Sequence, residues 1–130
     1  MDNDILEKIK NVFERRQEIK LAYFFGSQVT GNAGPLSDFD FAFYVDGVDK
    51  KEAFEIKLFL ANEIGKILKT DKIDVVCLNS VDNLELKYAI IRDGKLLVEQ
   101  QPYKLIVEPR ILNEYFDFHS MLERYNLTNG

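Results

Sequence analysis

Five residues stand out by type and spacing. Gly26-Ser27 is followed, after ten residues, by Asp38-Phe39-Asp40, and a further acid, Asp74, opens the apolar run Asp74-Val75-Val76-Cys77-Leu78. Asp38 and Asp40 lie two apart in the alternating segment Asp38-Phe39-Asp40-Phe41-Ala42-Phe43-Tyr44-Val45. In a strand, that spacing puts both carboxylates on one face and Phe39, Phe41 and Phe43 on the other. Two carboxylates that close repel each other unless a cation sits between them, and all-oxygen donors suit Mg²⁺ or Mn²⁺. A third carboxylate on a neighbouring strand completes a site for two ions about 3.5–4 Å apart, flanking an in-line displacement. Gly26 lets the main chain approach a phosphate closely, while Ser27 offers a hydroxyl and an amide to triphosphate oxygens. The residue types point to metal-assisted phosphate chemistry.

Each of these residues also has a plainer role. Alternating acids are common on a solvent-facing strand, and Ser27 suits an ordinary turn. Asp74 can simply end a loop, and Asp71, three residues earlier, competes with it for the third position. The chemical reading rests on the combination: Gly-Ser at the end of a strand, a Gly-rich loop, then the paired acids. Elsewhere the residues read as structure. His119, the only histidine, falls at helical spacing with Leu112 and Phe116, and Cys77 lies among Val and Leu as a core thiol. No Ser or Cys nucleophile arrangement is visible. The aromatic residues near the C-terminus, among them Phe116 and Phe118, read either as core or as a partner surface.

The elements that must position the acids follow from periodicity. Ile5, Leu6, Ile9, Val12 and Phe13 mark one face of a helix capped by Asn3 or Asp4 and ending near 15–17. A strand is expected over 20–25, a loop over 26–37, the acidic strand over 38–45 and a long helix over 50–69 with Ile56, Phe59, Leu60, Ile64 and Ile67 inward. A strand over 73–78 precedes a helix with Asp82 as its cap and Glu85 at the capping-box position, stopping at Gly94. A small strand over 95–99 follows. A last helix runs from Arg110 with Ile111, Tyr115, Phe118, Leu122 and Tyr125 on one face, and the stretch between Pro102 and Pro109 is left without an element. The fold class is α/β (α+β): a small mixed sheet flanked by helices, in a single domain 1–130 with 102–130 as a C-terminal helical extension.

Composition sets the bounds. The chain has 130 residues, 46% apolar and 30% charged, which fits an ordinary globular domain and excludes disorder or a disulfide scaffold. Ten Phe and six Tyr, with no Trp, must supply much of the core. A net charge of −5 repels a phosphate backbone, so direct nucleic-acid binding is not expected, whereas a nucleotide held with divalent metal is compatible. The lone cysteine, a densely charged N-terminal segment without a signal-type apolar stretch, and the lack of a long apolar run lead to an expectation of a cytoplasmic protein with no membrane partner.

The Gly26-Ser27, ten-residue spacer and Asp38-x-Asp40 pattern resembles the signature of the polymerase β-like nucleotidyltransferase superfamily. The stretches 21–27, 37–42, 74–79, 92–99 and 114–118, within a likeness spanning about 5–125, resemble the minimal nucleotidyltransferases of MntA type, the antitoxins of HEPN–MNT (type VII) toxin–antitoxin pairs. The resemblance implies a polymerase β-like nucleotidyltransferase core and an enzyme with ATP as co-substrate and two Mg²⁺, or Mn²⁺, ions. By the same resemblance Asp38, Asp40 and Asp74 are metal-binding and catalytic, Asp74 also helping to deprotonate the acceptor, and Gly26 and Ser27 bind nucleotide. It further implies that AMP passes to a tyrosine hydroxyl of a cognate HEPN ribonuclease toxin, which is thereby neutralised. Family members often carry Arg directly after Gly-Ser; here Gln28, Val29 and Thr30 follow, so triphosphate charge falls to metal and backbone amides. Two other readings stand beside this one: transfer to a small hydroxylated molecule such as an aminoglycoside, and inhibition of the toxin by binding alone.

Overall fold

The computed structural model describes residues 1–31 and 38–125. Its elements are α1 (Asn3–Glu14), β1 (Ile19–Phe25), α2 (Ser27–Thr30), β2 (Phe39–Val45), α3 (Lys50–Leu68), β3 (Ile73–Cys77), α4 (Leu84–Asp93), β4 (Lys95–Glu99) and α5 (Tyr103–Arg124). The strands form one mixed sheet in the order β3-β2-β1-β4. β1 runs antiparallel to both β2 and β4, while β2 and β3 are parallel, joined through α3.

The sheet divides the apolar residues into two layers. One face carries Ala22, Phe24, Phe41 and Phe43 against Ile9, Val12 and Phe13 of α1 and Ile56, Leu60 and Ile64 of α3. Phe24 stacks on Phe41 with centroids 5.0 Å apart. The other face carries Leu21, Tyr23, Phe25 and Ala42 against Ile90 of α4 and Val107 and Ile111 of α5. This explains why β1 reads as an unbroken apolar run: it is covered on both sides. Beyond the strands, Asn79 donates to the Val45 carbonyl at 2.8 Å and accepts from the Val45 N–H at 3.0 Å, fastening the exit of β3 to the end of β2.

Four expectations need correction. α1 is capped by Asp2, whose carboxylate accepts from the Ile5 N–H, and α4 by Asn83, which accepts from the Leu86 N–H. In each case the cap is the residue whose own carbonyl takes the first helical bond, from Leu6 and Lys87 respectively, so neither Asn3, Asp4 nor Asp82 can fill the role. The loop expected after Gly26 opens instead with a single helical turn, α2, bracketed by Gly26 at φ +87° and Gly31 at φ +84°. The rest of that loop, with Asn32, Gly34, Pro35 and Ser37, lies outside the described residues.

The fourth correction concerns the C-terminal region. α5 begins at Tyr103 and runs straight through Pro109. Proline there removes the N–H that would bond the Leu105 carbonyl, but Leu105 is 73% exposed, where water can take that place. On the opposite side Val107 and Ile111 are buried against the sheet. The Tyr23 hydroxyl donates to Glu108, and the Tyr103 hydroxyl donates to Asp46 at 2.6 Å, so two further contacts hold the first half of α5 in place. Tertiary contact outweighs the proline.

If this docking is integral to the fold, Ile111→Ala should lower stability by about 2–4 kcal/mol, as large-to-small changes at buried positions do. Chemical denaturation followed by circular dichroism measures this. A loss well under 1 kcal/mol would mean that α5 is a dispensable appendage.

Candidate active site

The acids converge because of strand register. Asp40 pairs with Asp74 across the parallel β2–β3 ladder, and with Phe25 across the antiparallel β1–β2 ladder. Asp40 and Asp74 therefore stand side by side on the α4/α5 face of the sheet, at one end of it. Asp38 sits one residue ahead of β2, exposed, and Asp74 is exposed as well, while Asp40 is half-buried. Asp71, the competitor for the third position, lies in the turn before β3 beside Lys66 and Lys69, away from Asp40.

Gly26 closes the other side. It follows Phe25, the register partner of Asp40, and a methyl group built on it would overlap the Asp40 carboxylate. Its positive φ and this close approach both require glycine. From here the chain enters α2, where the Val29 N–H bonds the Gly26 carbonyl and the Gly31 N–H bonds that of Ser27, each at 3.1 Å. Ser27 is half-buried at the start of this turn. Strand end, Gly-Ser turn and paired acids thus meet in one small volume.

The electrostatics of that volume are unfavourable on their own. Burial, then the charge of Asp74, then that of Asp38 push the Asp40 carboxyl up to about 6 from an ordinary value near 3.8. Among the described residues no three His, Cys, Asp or Glu side chains are placed to hold a metal ion by themselves, so Asp38, Asp40 and Asp74 do not form a complete three-acid cage. Mg²⁺ is commonly held by one or two carboxylates together with substrate phosphates and water. The donor set is all oxygen, and the repulsion on Asp40 is what a divalent cation relieves. The residues fit such an ion.

The remaining sequence expectations fall as follows. Cys77 is buried in the core next to Phe43, its register partner. His119 stays on a helix face, its Nε2 2.6 Å from Glu85 and its ring against Tyr115. Phe116 and Phe118 are exposed, not core. Lys50, Phe54 and Lys57, which line a groove ending at Asp74, were not singled out by the sequence; their signal is a shared face of α3 at positions one, five and eight.

A Gly-Ser turn thus stands against a strand-borne acid pair, with a third acid in register on a parallel neighbour, in an α/β domain. The chain belongs to the polymerase β nucleotidyltransferase family, whose model matches residues 7–103. Over 90 residues it is 36% identical to the protein adenylyltransferase MntA of Aphanizomenon flos-aquae, an overlap of 63% of this chain and 58% of that relative. The chain thus spans less than two thirds of the relative it matches. Several solved structures share its fold, among them two of particular interest. A toxin–antitoxin with AMP-PNP superposes with TM-score 0.73 at 22% identity, covering 92% of this chain and 94% of the other. The MNT antitoxin in complex with a tri-AMPylated HEPN toxin, from Shewanella oneidensis, gives 0.70 at 20%, covering 96% and 95%. The fold class expected from the sequence is the one observed.

The raised Asp40 has a consequence for stability. A carboxyl whose folded value exceeds its unfolded value contributes stability that is full below about 3.8 and is lost as pH rises through about 6. Without divalent metal, Asp40→Asn should therefore raise the melting temperature at pH 7.5, and the gap from the parent protein should close below pH 4. Differential scanning calorimetry across that range checks it; an unchanged or lowered melting temperature at pH 7.5 contradicts the crowding of the acids.

Proposed function

We propose that this chain is an antitoxin-type protein adenylyltransferase, passing AMP from ATP to a tyrosine hydroxyl of a cognate HEPN ribonuclease toxin and so neutralising it. The observation that carries the reading is the Asp40–Asp74 register pair closed by Gly26, in a member of the nucleotidyltransferase family. The MntA relative and the AMPylated toxin complex support the choice of a protein acceptor. So does the exposed apolar set at the end of α5, Phe116, Phe118 and Met121 with Tyr125 just beyond them, which suits a partner surface.

In this reading Asp38, Asp40 and Asp74 hold two Mg²⁺ ions. Bound there, the ions supply charge neutralisation at the triphosphate and a lowered pKa for the attacking hydroxyl. Gly26 and the Ser27 hydroxyl and amide bind the phosphates. Asp74 helps take the proton as the tyrosine oxygen attacks the α-phosphorus; the bond to the bridging oxygen breaks, and pyrophosphate leaves. Gln28, in place of an arginine, leaves the phosphates without a guanidinium on this turn. The chain acts as a single nucleotidyltransferase domain, with α5 as its helical extension. The protein works in the cytoplasm, without direct nucleic-acid or membrane binding; among the described residues no helix is long and apolar enough to cross a membrane.

Intact-mass spectrometry of a cognate HEPN protein, incubated with this chain, ATP and Mg²⁺, tests the proposal. Mass gains in steps of one AMP are expected, reduced about a hundredfold or more in rate by Asp38→Ala or Asp40→Ala with the fold retained. A stable complex without mass gain points to inhibition by binding alone, the reading that Gln28 favours. Neither complex nor gain returns the acceptor to a small hydroxylated molecule such as an aminoglycoside.

A further inference from the structure

We infer that the outer side of α3 is a docking surface for a partner protein, and that its occupant is an amphipathic helix with acidic residues flanking an apolar seam. The inference stands apart from AMP transfer, because α3 packs on the sheet face opposite the one that carries Asp40 and Asp74.

The first observation is an uncovered apolar stripe. α3 packs chiefly on β3 and α1, burying Ala53, Ile56, Leu60 and Ile64. Phe54, Leu58 and Ala61, at positions i, i+4 and i+7, share another side of the helix. Phe54 is 58% exposed and Leu58 54%. Large apolar side chains left in water on successive turns are anchors for a partner helix. Beside them, where α3 passes the last strand of the sheet, lie two hollows of about 410 and 680 Å³. Together these follow α3 from Lys50 to Lys69, a length of about 28 Å or five helical turns.

The second observation is charge. Lys50, Lys57, Lys66 and Lys69 line the hollows from α3, in a chain whose net charge is −5. Lys66 lies 3.7 Å from Glu63, which also reaches back to Arg15 at 3.6 Å. Among the described residues Lys50, Lys57 and Lys69 have no ion-pair partner. Glu55 stands outside both hollows. Across from α3, Asp71 lies in the turn before β3, while the Asp74 carboxylate stands on the other face of the sheet beside Asp40. Lysine thus dominates the charge along the stripe.

These features choose the occupant. An apolar stripe along a helix fits a second helix, which lays its own seam against it. Lys50 and Lys57 are seven residues apart, so they call for carboxylates at the heptad positions that flank the partner's seam. A second copy of this chain fits poorly, because a self-complementary contact would set lysine against lysine. A phosphate polymer would leave Phe54 and Leu58 in water, and the net charge of the chain repels it. A helix held on α3 leaves the face that carries the catalytic acids open.

Two synthetic three-heptad peptides test this, both with Leu along the seam, one with Glu and the other with Lys at the flanking positions. Fluorescence anisotropy reads their binding to the full chain. The Glu peptide should bind at least about tenfold more tightly than the Lys peptide. Lys50→Glu/Lys57→Glu/Lys69→Glu should reverse that order. Phe54→Ser/Leu58→Ser should weaken the Glu peptide about tenfold or more, and circular dichroism checks that both variants stay folded. Affinity for AMP-PNP should stay within about twofold when the Glu peptide is bound, since the two surfaces lie on opposite faces. Equal binding of the two peptides, or binding that ignores Phe54→Ser/Leu58→Ser, overturns the inference. Self-association of the parent chain that Phe54→Ser/Leu58→Ser abolishes gives the face to a second copy and overturns it too. So does tighter binding to phosphatidylserine vesicles than to the Glu peptide, which gives the face to a membrane. Because the peptides report binding and not transfer, a chain that binds the Glu peptide but transfers no AMP removes the proposed function alone.

Discussion

The parallel register that sets Asp40 beside Asp74 is the constraint on which the rest depends. Two carboxylates held at that separation, with Asp38 nearby, oppose each other's ionisation. Nothing local rewards the arrangement, so the remainder of the fold must enforce it. A one-residue slip of β3 would turn Asp74 to the other face and expose Val75 in its place. The register is held because Val75 and Cys77 are buried on the α1/α3 side and because Asn79 bonds both main-chain groups of Val45 just beyond the strands.

The same sheet end explains the glycine. β1 stops where its last residue, Phe25, faces Asp40, and Gly26 then has to turn away with its Cα against the carboxylate. Any side chain there would push the acid aside. Core and site are thus coupled through β1, whose burial on both faces fixes where that turn begins. Packing energy, spread over the two apolar layers, stabilises a site that is locally strained by like charge.

Much of this could be read from the chain itself, for identifiable reasons. The face shared by Asp38 and Asp40 follows from strict alternation with Phe39, Phe41 and Phe43, and the helical positions of α3 follow from their period. What could not be read depends on tertiary placement. The apolar run that Asp74 opens favours it over Asp71, but only the register with β2 shows which acid stands beside Asp40. Pro109 reads as a helix breaker until Val107 and Ile111 are seen pinned to the sheet on either side of it. Asp82 and Asn83 are both good caps, and only the carbonyl that begins the helix decides. The groove beside β3 needs the strand order, because an edge strand and a central strand of this composition look the same in sequence.

The central claim is that the three acids form a divalent-metal site completed by nucleotide. Counting the ions tests it most directly, by titrating Mn²⁺ into the protein in the presence of AMP-PNP and following free Mn²⁺ by electron paramagnetic resonance. Two ions per chain are predicted, with the second lost or strongly weakened in Asp40→Asn. Mn²⁺ bound no more tightly than by AMP-PNP alone, or bound equally by Asp40→Asn, would contradict the account.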